Sequence, residues 1–111
     1  MKNFEDNFSI PAGLSPKGKA AAEVILQVLK KDGADASGGC RVFYTPAEWK
    51  ARGEQFGTNS ELVIVYDGGD HAIYFDYDHE CYSAIDKMAD ALRPVGVFTE
   101  ACTGWYSAVY T

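Results

Sequence analysis

Leu62-Val63-Ile64-Val65-Tyr66 is an unbroken apolar run built from β-branched and aromatic residues. Successive side chains of a strand point to opposite faces, so such a run needs burial on both. Any fold of this chain must therefore place that strand centrally, with helices covering at least one side. Ala72-Ile73-Tyr74-Phe75 has the same character and follows Asp67-Gly68-Gly69-Asp70. A Gly-Gly pair supplies the positive-φ positions of a tight primed turn, so the two runs predict a β-hairpin.

Around this hairpin the helical signals are sharper. Ser15-Pro16 reads as an N-cap followed by proline at the first helical position. From Lys17 to Lys31, Ala21, Val24, Ile25, Val28 and Leu29 fall on one helical face. Lys30 and Lys31 suit the negative end of the helix dipole, and Gly33 marks the stop. Cys40 to Tyr44 reads as a strand. Thr45-Pro46-Ala47-Glu48 has the spacing of a capping box and opens a short helix through Trp49 that ends near Gly53. A second amphipathic helix runs from about Glu80 to Arg93, with Tyr82, Ile85, Met88, Ala89 and Leu92 on one face, Asp78 as N-cap and Glu80 in the first turn. Val95–Glu100 and Trp105–Tyr110 form a second hairpin. Residues 1–14 read as an irregular lead-in whose Phe4, Phe8 and Ile10 reach the core.

This order predicts an α+β fold. Residues 1–111 form a single compact domain with a largely antiparallel sheet of about five strands. Two main helices pack on one face, and one short helix completes it. Apolar residues make up 47% of the 111 and aromatics 14%, which excludes a disordered chain. No apolar run approaches the roughly 20 residues of a membrane span. The stretch Met1–Phe8 lacks the apolar core of a signal peptide, so a cytoplasmic location and no membrane partner are expected. Cys40, Cys81 and Cys102 are then reduced thiols, and with no C-x-x-C pair they do not form a structural zinc site.

Charge separates the halves of the chain. Residues 1–55 hold eight Lys/Arg and seven Asp/Glu, a net of +1. Residues 56–111 hold two and nine, a net of −7. Eight of those carboxylates (Glu61, Asp67, Asp70, Asp76, Asp78, Glu80, Asp86 and Asp90) lie in one stretch whose one cation is Lys87. An acidic surface repels nucleic acid and lipid headgroups and attracts cations or basic proteins.

Three chemistries compete for this stretch. In a hairpin with Gly68-Gly69 at its tip, Asp67 and Asp70 face each other, and like charges there need compensation by a cation, a shared proton or a basic partner. A small metal-dependent enzyme would use Asp67, Asp70 and His71 as ligands, with Asp76 or His79 as base. The structural alternative is that Asp favours turns and caps through bonds to nearby backbone N–H groups, and that His71 and His79 are surface residues beside them. His79-Glu80-Cys81 places a base near a thiol, but positions i and i+2 do not face each other on a helix. The sequence contains no G-x-S-x-G, phosphate-binding loop or dinucleotide fingerprint. No catalytic residue, cofactor or metal is therefore assigned.

The segments Phe43–Gly53 (FYTPAEWKARG), Glu61–Asp70 (ELVIVYDGGD) and Cys102–Tyr110 (CTGWYSAVY) resemble small proteins carried by bacteriophages, prophages and bacterial accessory genomes. The similarity spans residues 15–111 and brings no catalytic motif. It implies a phage accessory protein, directed at a host defence system such as CRISPR–Cas. The leading expectation is thus a non-enzymatic inhibitor of the anti-CRISPR kind. It covers the basic surface of a host nucleic-acid-binding complex without touching nucleic acid itself. Asp67, Asp70, Asp76, Asp78, Asp86 and Asp90 stand in for phosphates, with Tyr74 and Trp105 as aromatic anchors. The metal-dependent enzyme is the second reading. A homodimer joined through the aromatic surface is the third.

Overall fold

The computed structural model describes residues 7–111. Helix α1 spans Pro16–Lys31, strand β1 Phe43–Tyr44, helix α2 Pro46–Ala51 and strand β2 Leu62–Val65. Two 3-10 turns, Asp70–Tyr74 and Tyr77–His79, lead to helix α3 at Tyr82–Leu92. A third 3-10 turn, Arg93–Val95, precedes strands β3 (Phe98–Ala101) and β4 (Tyr106–Tyr110). The fold is α+β, and its antiparallel sheet has, among the described residues, four strands in the order β1-β2-β4-β3.

The missing fifth strand is the second arm of the expected 66–75 hairpin. Both edges of β2 are already taken, Ile64 facing Phe43 on one side and Val65 facing Tyr106 on the other. Residues Ala72–Phe75 therefore have no edge to join. Their backbone closes on itself instead, with Phe75 and Asp76 N–H donating to Ala72 O at 3.0 and 2.9 Å. Ala72, Tyr74 and Phe75 are buried all the same. A short apolar run specifies burial without specifying strand or helix.

Alternation along β2 builds two cores. Leu62, Ile64 and Tyr66 pack with Ala21, Ile25 and Leu29 of α1 and Met88 and Leu92 of α3. Val63 and Val65 face the other way, onto Trp49 of α2 and Tyr106 of β4. The two main helices thus cover one face and the short helix the other. Phe8 and Ile10 join the first core, Phe8 edge-on to Phe43 and His71; Phe4 lies outside the described residues.

Local signals set the helix starts. Ser15 Oγ accepts the Gly18 N–H at 3.0 Å. Thr45 Oγ1 accepts the Glu48 N–H at 3.0 Å while Glu48 Oε1 accepts the Thr45 N–H at 3.0 Å, which is the expected capping box. That box orients α2 so that Trp49 is fully buried. Burial of a side chain this large contributes several kcal/mol. Gly18 has a different reason: a Cβ there would overlap the Glu61 carbonyl oxygen, so the glycine lets α1 sit directly on the start of β2. No helix among the described residues is long and apolar enough to cross a membrane.

Candidate functional site

The acidic stretch resolves into three local structures with different surroundings. Asp67 and Asp70 are exposed at the two ends of a turn closed by Gly69 N–H on Tyr66 O at 3.0 Å. They are not cross-strand neighbours, because Asp70 opens a 3-10 turn and its N–H donates to Ala36 O at 2.9 Å. The cross-strand repulsion expected of a hairpin tip does not arise in this arrangement.

His71 is fully buried beneath that turn, with Nε2 2.8 Å from Val65 O. Burial pushes its pKa down, so the ring is neutral at pH 7 and Nε2 carries the proton. The metal-site alternative needed this ring beside the Asp67 and Asp70 carboxylates at the surface. Its Nε2 is instead committed to the backbone, and among the described residues no three His, Cys, Asp or Glu side chains converge on one point.

Asp76 is buried at 8% exposure, where its Oδ1 accepts the Asp78 N–H at 3.0 Å and its Oδ2 lies 3.6 Å from His79 Nε2. It caps the Tyr77–His79 turn rather than meeting solvent. Tyr74, expected as an anchor, is also buried, and its hydroxyl donates to Asp32 Oδ2 at 2.6 Å. Lys87 donates to the same oxygen at 2.9 Å. These two bonds hold the Asp32 carboxyl below its ordinary range, the Tyr74 bond contributing most. Burial and Asp32 push the Tyr74 hydroxyl up to about 12. The single cation of the acidic stretch is therefore tied to the end of α1.

Besides Asp67 and Asp70, the segment around the α3 N-terminus reaches solvent. Tyr77, Asp78, His79, Glu80 and Tyr82 are all exposed. Tyr77 and Tyr82 are the most exposed large hydrophobic residues among the described residues, at 58% and 57%. Glu80 has φ +55, the sole positive-φ residue other than glycine among the described residues. This left-handed turn ends one helix and restarts the next. Consequently α3 begins at Tyr82 with Cys81 as N-cap and no acid in its first turn, contrary to the expected capping by Asp78. Along α3 the i, i+4 spacing puts Tyr82, Asp86 and Asp90 in one exposed row. Asp90 meets Arg93 at 2.8 Å, a pair largely in water.

Sequence periodicity assigned Tyr82 to the buried face. The helix starts at that residue, so its first turn projects past the edge of the core. Ile85, Met88 and Leu92 are buried as expected, and Ala89, assigned to the same face, is exposed. The signal that could have found Tyr82 was its position at the helix start. Trp105 stands on the opposite face of the sheet, half-buried between Trp49 at 5.7 Å and Tyr106 at 4.6 Å. It does not share a surface with the acidic row.

The cysteines offer no activated thiol at two of their three positions: burial pushes Cys40 and Cys102 up. Comparison with known protein families, curated proteins and solved structures finds no match to this chain.

Proposed function

We propose that this chain is a non-enzymatic binding protein that covers a basic protein surface through the segment from Tyr77 to Asp90. The observation that carries the reading is the pair of half-exposed tyrosines set among Asp78, Glu80, Asp86 and Asp90. Large exposed aromatics are poorly accommodated by water, and Tyr is a preferred interface anchor. Carboxylates around them select a basic partner and speed its approach. The same charges repel a second copy, which favours a heterologous partner over a homodimer. The partner class proposed is the basic groove of a nucleic-acid-binding complex. In the phage setting that the sequence resemblance implies, occupying such a groove inhibits host defence.

The test is capture from bacterial host lysate by the tagged protein, beside a Tyr77→Ala/Tyr82→Ala variant and an Asp78→Lys/Asp86→Lys variant. The wild type is expected to retain a basic nucleic-acid-binding complex and to compete with its nucleic acid. Each variant is expected to lose that complex, since truncating an anchor costs about 2 kcal/mol or more. Equal capture by all three proteins would refute the assignment of this face.

A further inference from the structure

A groove of about 450 Å³ lies between the 55–59 loop and strands β3 and β4, away from the acidic row. Phe56 and Tyr110 are its aromatic lining, Gln55, Thr58 and Asn59 contribute polar side chains, and Glu100 contributes a carboxylate. The register sets Phe98 opposite Tyr110 and Glu100 opposite Ala108. Phe98 and Glu100 therefore belong to the sheet face that also carries Trp49. Phe98 is 50% exposed, with its ring 6.1 Å from that of Tyr110, and Phe56 is 48% exposed.

Glu100 is exposed and, among the described residues, has no basic side chain paired with it. Its charge reaches the groove's other ionisable groups: it adds to burial in raising the pKa of Cys102, and comes after burial and Cys102 in raising that of Tyr110. An unneutralised carboxylate beside aromatic rings is recognition chemistry for a cation. A guanidinium or ammonium stacks on the rings and donates to the carboxylate. An anion is repelled there, and a purely apolar ligand would strip water from Glu100 without replacing it.

The cation's carrier is indicated by β3. This strand ends the sheet, with β4 on one side and nothing paired to the other among the described residues. Its sequence, Phe98-Thr99-Glu100-Ala101, has none of the lysine or proline that usually blunts an edge. An extended segment laid along it gains backbone hydrogen bonds and places alternate side chains on the groove face.

We infer that the groove binds an arginine or lysine side chain of an extended partner segment lying along β3. The inference rests on the chain being a binder of basic proteins, and adds a second contact on the far face of the sheet. The experiment is a titration of the ¹⁵N-labelled protein with a short capped peptide holding a central arginine between valines. Parallel titrations use the same peptide with citrulline, and free N-acetylarginine amide. Saturable amide shifts are expected at residues 55–59 and 98–102. Citrulline in the peptide, or Glu100→Gln in the protein, is expected to weaken binding about tenfold or more. Phe56→Ala weakens it further, while Asp86→Lys/Asp90→Lys leaves the shifts in place. Equal binding of the arginine and citrulline peptides would overturn the inference whatever the variants do. So would shifts confined to residues 77–90, an outcome that keeps the acidic-row reading intact. Free N-acetylarginine amide binding as tightly as the peptide would remove the extended segment and overturn the docking along β3.

Discussion

Glu48 ties three features together, and its removal gives a calculable loss. Its Oε1 completes the capping box on Thr45, and its two oxygens take a bidentate pair of bonds from Arg41 at 2.7 and 2.8 Å. Arg41 in turn lies 4.1 Å over the Tyr44 ring, which packs against Trp49. The Arg41 guanidinium above all holds the Glu48 carboxyl down to about 2. Losing the box costs about 0.5–1 kcal/mol. An ion pair in which each side chain is 40% exposed adds about 0.5–1 more, well below a buried pair because water screens it. Glu48→Ala is therefore expected to destabilise by about 1–2 kcal/mol, read as a lower urea midpoint at unchanged slope. Glu48→Gln keeps a capping side chain and loses the charge, so it falls about halfway. The folded pKa is depressed, so this stabilisation is complete above about 4.5 and is lost as pH falls from there toward about 2. Wild type and Glu48→Ala should converge in stability along that acid limb. A loss below about 0.3 kcal/mol at pH 7, or parallel pH profiles for the two proteins, would refute this account of α2.

Other perturbations follow from the same geometry. Gly38→Ala places a Cβ onto the Gly68 carbonyl oxygen at φ +67, whereas Gly33→Ala at φ +71 meets nothing. Thermal unfolding should thus show a loss of about 1 kcal/mol for Gly33→Ala and at least about twice that for Gly38→Ala, and equal losses would contradict the close loop contact. Glu80→Gly relieves a left-handed residue and is expected to raise stability by roughly 0.5–1 kcal/mol while weakening partner binding, checked by denaturation and capture side by side. Asp32→Asn removes the carboxylate shared by Tyr74 and Lys87. Because that group is depressed in the folded state, its contribution is present above the ordinary carboxylate range and lost as pH falls below it. The variant should melt lower at pH 7 and show a flatter acid limb in calorimetry; an unchanged melting temperature would remove Asp32 as the tie between α1 and α3.

Much of the architecture was legible because it is written locally. Ser15 and Thr45 cap their own helices through groups three residues away, and the period of Ala21, Ile25 and Leu29 depends only on helix geometry. The second hairpin, β3 to β4, likewise joins neighbours in sequence. The candidate site was less legible. Asp86 and Asp90 are exposed, as an acidic surface requires, but Asp76 and Tyr74 turned inward and Tyr82 turned outward, as did Tyr77, to which no face had been assigned. Each of those four depends on where the 70–82 backbone coils, and that was settled elsewhere.

By itself the sequence determined the fold class, the starts of α1 and α2, the central place of Leu62–Tyr66 and the acidic bias of the second half. Tertiary structure alone decided the partners of β2. Once β1 and β4 claimed its two edges, the run from Ala72 to Phe75 kept its burial and lost its strand. The hairpin pairing of Asp67 with Asp70 vanished with it, and His71 was drawn under the turn. Apolar patterning fixes how much of a segment is buried, but the free edge that makes a strand is a property of the assembled sheet.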